Sequence, residues 1–540
     1  MGSQACCRLR SSQHRSDLRS HAREARLIPM NANTISRNTF WYGLEMGTGF
    51  IAALFTSIAI ARALGPEELG QFVFVGMLMS FSSSLGSLGI PATAAKFMAE
   101  YLGRGEPGVA RAVFFKTFRL QAYLSLVITL TTLGFYCAFG DRQYLTVAAL
   151  LIGSNFPHMM GSIAAQANVA SENLMGNVPG SLVSTFTYTV FVVLTLHFGW
   201  GLVGLGIGVM TSRAAELAVR LIPTLRRVRQ WPETPLPEHL RGRMLSFSKN
   251  SVILLLLSLI VWDRSEMFFL KHFWTDARQI AFYSVAFNLT EKLQVASQVF
   301  GAATASSLMA QFGRNQKSLG SMVTTAIRYH ALMAIPIHIG VAVLSAPLLL
   351  LLYGQRYVAV IPLLSIAAVL AIPKALIPPL TNGLAAKDRQ ALVVRWMLVT
   401  AAVDLVLDAV LIPRWGATGA VIANGAAQIF AAAVLMGIAR KTLHFRLPVK
   451  QLARAGVAGL AMGAIVFVFA TRGLSPAATL LMGPTAGAIV FLVMLRLTRS
   501  LDAVDRRRLE QVGNRFPRPV RNMMSNGIRI LIPATSEEIL

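Results

Sequence analysis

The 540-residue chain is 54% AVILMFWYC, only 14% charged, and carries a formal net charge of +26. In a soluble protein that charge would point to nucleic acid, but Lys and Arg fall mainly in the two tails and in alternate loops of a chain of positive mean hydropathy, so nucleic acid is not an expected partner. Three cysteines without a CxxC pair and nine scattered histidines give neither a disulfide framework nor a metal-ligand motif, and no cofactor or metal is expected.

Residues 1–37 form a basic arm, rich in Arg and Ser, with no apolar core of a signal peptide; Met30 opens a second, more ordinary start. Apolar stretches then follow at 39–62, 71–95, 117–139, 143–167, 178–198 and 201–222, and, after a basic linker at 223–248, at 249–271, 279–305, 321–346, 357–380, 391–412 and 416–439. Two more lie at 454–471 and 475–497, ahead of a basic tail at 498–540. A bilayer core of about 30 Å takes about twenty helical residues, and backbone in hydrocarbon must satisfy its own hydrogen bonds. The expected fold is therefore an all-α polytopic membrane protein of about fourteen transmembrane helices.

Basic residues concentrate in the arm, in Lys96–Arg119, in Arg220–Lys249, in Gln311–Lys317, in Lys387–Arg395, in Arg440–Arg454 and in the tail, which places these loops and both termini in the cytoplasm. The intervening turns, near Gly65–Gly70, Gly140–Gln143, His197–Trp200, Gln355–Arg356, Pro413–Gly416 and Arg472–Ser475, are expected outside. Within Tyr101–Arg119, mixed apolar and basic residues fit either an amphipathic helix on anionic lipid headgroups or a cytoplasmic extension of the third helix.

The chain also repeats itself. LGPEELGQFVFV at Leu64 is answered by TDARQIAFYSVA at Thr275, GRGEP at Gly103 by GRNQK at Gly313, and W-G-x-x-G at Trp200 by the same pattern at Trp415, all at spacings of 210–215 residues. Two six-helix lobes, 38–222 and 249–440, follow from this, with 441–497 as an extra helix pair. An even number of spans per lobe makes the repeat parallel, an arrangement common in transporters that rock around a central site.

Charges inside spans are candidates for function because each costs several kcal/mol without a partner or a cavity. Glu45 lies in the first span, Asp263, Arg264 and Glu266 in the seventh, Glu291 and Lys292 in the eighth and Lys374 in the tenth. Asp404 and Asp408 share one face of the eleventh at i,i+4. Arg264 fits either a structural ion pair with Asp263 or Glu266, or a bidentate ligand for a diphosphate. Glu45 and Asp404 fit a coupling cation, while Asp408, close to the outer interface, is expected to be solvated.

IARALGPEELGQF (Ile60–Phe72), YLGRGE (Tyr101–Glu106), LLYGQRYVAVIPLL (Leu351–Leu364) and IPRWGATGAVIAN (Ile412–Asn424) resemble the polysaccharide-flippase branch of the multidrug/oligosaccharidyl-lipid/polysaccharide exporter superfamily, nearest the Wzx-type O-antigen and exopolysaccharide flippases. That resemblance, over about residues 34–497, implies a V-shaped pair of lobes in a bacterial inner membrane. It implies a lipid-linked oligosaccharide, carried on undecaprenyl diphosphate, as the partner flipped between leaflets, alongside other polysaccharide-assembly membrane proteins. Arg62 falls in the family's I-A-R-x-L-G pattern, where anchoring and substrate contact both fit. The same superfamily holds a lipid II flippase and cation-coupled multidrug exporters. A membrane glycosyltransferase or polymerase is the enzymatic alternative, but no outer loop is long enough for its catalytic groups, and no GxxxxGK[ST] is present for ATP.

Overall fold

The computed structural model describes residues 32–171, 173–248, 252, 265–314, 319–387 and 389–501, with a few isolated positions beyond. In chain order the helices are α1 (Ala32–Ser87), α2 (Ile90–Gly103), α3 (Pro107–Phe139), α4 (Leu145–Gly153), α5 (Asn155–Ala170), α6 (Val178–Phe198) and α7 (Gly201–Arg229). After the linker come α8 (Glu266–Phe273), α9 (Arg278–Arg314), α10 (Leu319–Val343), α11 (Ser345–Leu352), α12 (Val360–Leu370), α13 (Ile377–Ala386), α14 (Gln390–Leu443), α15 (Val449–Thr471) and α16 (Pro476–Leu497). The described residues are helical throughout apart from turns and linkers, and ten helical segments are long and apolar enough to cross a membrane.

The expected fourteen spans differ from this count for identifiable reasons. α1 and α14 each hold two spans joined without a loop: Gly65 (φ 78°) and Gly416 (φ 54°) bend a continuous helix where the sequence predicts turns. Only glycine takes that conformation cheaply, and Pro66 starts the second limb with its φ already helical. α9 is long enough but too polar to be counted, and residues 253–264 of the seventh predicted span lie outside the described residues. The tenth predicted span is broken into α12, a short turn at Pro373–Leu376 and α13, and Lys374 sits in the break.

Tyr101–Arg119 is not a helix lying on lipid. α3 runs unbroken from Pro107, and its Val109, Ala110, Val113 and Phe114 are buried with Phe97, Met98, Tyr101, Val228 and Leu240. That face is committed to α2, α5 and α7, and the segment is the start of the third span's own helix. The linker is tied down here as well. Arg111 donates to the carbonyl of Trp231 (2.6 Å), and Arg243 donates to Glu100 (3.1 Å), which holds the Glu100 carboxyl below its usual range.

Packing differs at the two ends of the bundle. At the end of the short Gly-containing turns, one continuous apolar core takes Ile60, Leu69, Leu151 and Leu205 from the N-terminal half and Met267, Tyr283, Tyr357 and Val421 from the C-terminal half. At the end of the basic loops there are separate cores, one within each half. Among the described residues the halves are thus sealed at the turn end and not at the basic end. α1 and α9 make the main contact between them. Gly70 is the close approach in that seal, since a Cβ there would fall 2.0 Å from the carbonyl oxygen of Ala277. Gly70→Ala is accordingly expected to loosen it. In a background with Cys6, Cys7 and Cys137 changed to serine, a cysteine at Ser57 should then react several times faster with an impermeant thiol reagent added on the turn side; unchanged labelling would refute the contact.

α15 and α16 pack on each other and against α10 and α11 around Leu344, Ala458, Met462, Val466, Phe491 and Leu495. Gly459 lets α15 approach Ile335 closely, in the small-residue packing that membrane helices use.

Candidate functional site

Three carboxylates meet in the C-terminal half. Glu266 opens α8, while Asp404 and Asp408 lie one turn apart on the first limb of α14. Their relative exposures are 1%, 2% and 0%, and one oxygen of each lies within 4.8 Å of the others. Asp408 is therefore not solvated at an interface as the sequence predicts. The sequence places Asp408 about two turns before the kink at Gly416 but does not show that α8 packs over it.

Part of the demand of Glu266 and Asp408 is met by neutral donors. Asn424 donates to Glu266 Oε1 (2.6 Å), Gln428 donates in turn to Asn424, and Ser265 donates to Asp408 Oδ2 (3.1 Å). Among the described residues, Glu266 Oε2, Asp404 Oδ1 and Asp408 Oδ1 are buried without a well-placed hydrogen-bond donor, and the buried Tyr283 hydroxyl lies beside Glu266. Two unit negative charges at 4.8 Å repel by about 3 kcal/mol at an effective dielectric of about 20. Such a cluster needs positive charge, delivered as a cation or as protons. Buried oxygens from carboxylates, with an amide and hydroxyls nearby, form the hard donor set that suits an alkali or alkaline-earth cation.

Lys374, a predicted cavity residue, pairs with Glu291 of α9. Glu291, Tyr283, Asn424 and Gln428 line a small cavity of about 20 Å³, room for one water or ion beside the carboxylates. Arg62 does not line a cavity. Its guanidinium donates to the carbonyls of Leu352 (2.8 Å) and Leu351, and Tyr357 donates to the carbonyl of Ala61 (2.9 Å), so all three bonds cross between the halves at the sealed end. Asp263 and Arg264, and the side chain of Glu45, lie outside the described residues; Glu45 itself is one turn before Gly49 on α1.

The N-terminal half holds what sequence reasoning missed. A cavity of about 460 Å³ lies between α1, α6 and α7, and its polar lining is hydroxyl groups, among them Thr56, Ser57, Ser184, Thr185 and Thr189, with one cation, Arg213. Arg213 also lines an adjoining cavity of about 190 Å³ with Ser80, Ser83, Ser84, Asn155 and His158. Among the described residues lining either cavity there is no carboxylate. Arg213 donates to Glu216 Oε2 (2.9 Å), whose other oxygen pairs with Arg220. The signal available in the sequence was SRAAELAVR, with three charges inside a predicted span.

The described helices thus form a bundle joined at one end, with buried carboxylates in one half and a hydroxyl-lined cavity in the other. The fold is similar to that of a lipid II flippase, MurJ, in an inward closed conformation, with TM-score 0.70 and 12% identity over 84% of this chain and 98% of that one. It is also similar to a multidrug resistance MATE family transporter of the MOP superfamily in its inward-facing conformation, with TM-score 0.61 and 16% identity over 73% and 94% of the two chains. A third likeness is to a MOP superfamily transporter from Pyrococcus furiosus Vc1, described as having a binding pocket of reverse polarity, with TM-score 0.54 and 16% identity over 75% and 95%. Residues 35–309 match the family described as polysaccharide biosynthesis protein, and the chain belongs to that family. No curated protein matches the chain.

Proposed function

We propose that this protein flips an undecaprenyl-diphosphate-linked oligosaccharide from the inner to the outer leaflet of a bacterial inner membrane, by alternating access and without catalysing a covalent step. The basic loops and both termini then face the cytoplasm, and the seal between the halves closes the outer side. The observation that carries this reading is the cavity of about 460 Å³, whose described polar lining is hydroxyls and one guanidinium, with no carboxylate among the described residues. Sugar hydroxyls are recognised by hydroxyl and guanidinium donors, whereas a cationic drug calls for a carboxylate in the pocket. The carboxylates gather instead in the other half, where Glu266, Asp404 and Asp408 take a coupling cation. Membership of the polysaccharide biosynthesis family supports a glycan cargo.

The likeness to a lipid II flippase favours a second reading, in which the glycan is a peptidoglycan precursor. Depletion separates the two. Loss of the protein is expected to abolish a surface polysaccharide and leave its lipid-linked precursor on the inner leaflet, with glycosyltransferase activity in extracts unchanged. Accumulation of lipid II with an intact surface polysaccharide would establish the second reading, and loss of a transferase activity would overturn both.

A further inference from the structure

We propose that Arg213 and the hydroxyl-lined cavities on either side of it form an oxyanion subsite in the N-terminal half, which holds a phosphate or a carboxylate of the transported glycolipid at mid-membrane depth. The inference rests on the flippase reading for its cargo, but on separate observations for its chemistry. By helical rise Arg213 lies about 18 Å along α7 from Gly201, well within a hydrocarbon thickness of about 30 Å. A guanidinium at that depth is costly without counter-charge. Here two guanidinia share one carboxylate. Glu216 is buried, with Oε1 on Arg220 and Oε2 on Arg213, so the three residues carry a net positive charge.

The two arginines are not equivalent. Arg220 turns toward α6, where it donates to the carbonyl of Asn177 (3.4 Å) and to Ser181, and its side chain is 12% exposed. Arg213 is 33% exposed, gives one nitrogen to Glu216, and walls both cavities. Its planar fork matches two oxygens of one phosphate or carboxylate. Ser184 and Thr185 from α6 and Ser80, Ser83 and Ser84 from α1 offer hydroxyl donors around the same point, enough to hold an anion's remaining oxygens or the neighbouring sugar, whereas the Thr189 hydroxyl is bonded back to the carbonyl of Thr185. Arg220 and Glu216 position Arg213, and Arg213 touches the cargo.

A purely structural ion-pair ladder on α7 would use the same three residues, so the test must read binding. The full-length protein in detergent micelles is titrated by thermophoresis with geranyl diphosphate and with trigalacturonate, against geraniol and cellotriose as neutral controls. The wild type is expected to bind at least one anion more tightly than its neutral control. Arg213→Gln should weaken that anion by about tenfold or more, the loss of charge-assisted hydrogen bonds, with a wild-type melting temperature and unchanged binding of the neutral control. Arg213→Lys should retain part of it. A loss confined to geranyl diphosphate assigns the subsite to the diphosphate, and one confined to trigalacturonate assigns it to an acidic sugar.

Ser184→Asp guards against a misfolded Arg213→Gln. It leaves the α7 ladder intact, adds a carboxylate to the cavity, and should also abolish the anion preference. Anion binding that survives either change in folded protein would overturn the subsite, as would a wild type with no anion preference. The depletion experiment reports on the flippase reading separately: glycan flipping with no anion preference removes only the subsite, whereas Arg213-dependent anion binding without flipping removes only the flippase.

Discussion

Asparagine at both Asp404 and Asp408 is expected to stabilise the cation-free protein and, at the same time, to abolish its response to a driving cation. In the wild type the oxygens of Glu266, Asp404 and Asp408 face one another within 4.8 Å, nearly inaccessible to solvent, and one oxygen of each has no well-placed donor among the described residues. Removing two of the three negative charges relieves their mutual repulsion while the amides keep the shape of the carboxylates. A cation that binds only the folded wild type would add about 2.7 kcal/mol of stability at a hundredfold excess over its dissociation constant. Melting curves in Na⁺, K⁺ and choline buffers therefore give opposite orders for the two proteins. The wild type should rise sharply in melting temperature with one small cation, and the double variant should start higher and stay flat.

Transport should fall by about tenfold or more in the double variant, the size of a typical coupling free energy. Glu266→Gln tests whether the third carboxylate belongs to the same unit. Its effect on cation-dependent melting should be far less than additive with the aspartate changes, because the three oxygens serve one ligand. A wild type whose melting ignores every cation and the pH would refute the site.

Much of this was legible in the sequence, and what was not has a physical cause. Hydropathy marked the helices because a bilayer imposes both their length and their composition. The i,i+4 spacing put Asp404 and Asp408 on one face of a helix, and Glu266 was a suspect because charge inside a span is expensive. That the three converge was not legible, because it depends on α8 meeting α14, a contact between residues about 140 positions apart. Gly65 and Gly416 were read as loops because a glycine at positive φ serves a turn and a helix bend equally well. Arg213 escaped because its partner lies on its own helix while the hydroxyls around it come from α1 and α6. Each of those serines and threonines is unremarkable in sequence, where a hydroxyl bonded back to its own helix looks like one that lines a cavity. Arg62 was the opposite case: its position was flagged, but its partners are backbone carbonyls, which leave no signature in a sequence.

Arg62→Ala is expected to shift the protein toward a state open at the turn end. The Arg62 guanidinium crosses from the first limb of α1 to the carbonyls of Leu351 and Leu352 at the end of α11, and the Tyr357 hydroxyl returns to the carbonyl of Ala61. Three donated hydrogen bonds therefore span one short stretch of the seal, next to the bend at Gly65. They exist only while the turn ends meet, so they bias the equilibrium without contributing to either half alone. Arg62 is exposed, which moderates its contribution, and loss of its two bonds should cost the sealed state about 1–2 kcal/mol, or roughly a tenfold change in the population ratio. Spin labels at Asp141 and Arg414, exposed turn residues of the two halves, would report the change as a new population at longer distance. Tyr357→Phe should give a smaller shift in the same direction, since it removes one bond and keeps the ring packed. The combined variant should open furthest, with each half still folded, because the separate cores at the basic-loop end do not depend on the seal. Distance distributions identical to the wild type in all three variants would mean that apolar packing alone holds the turn end closed.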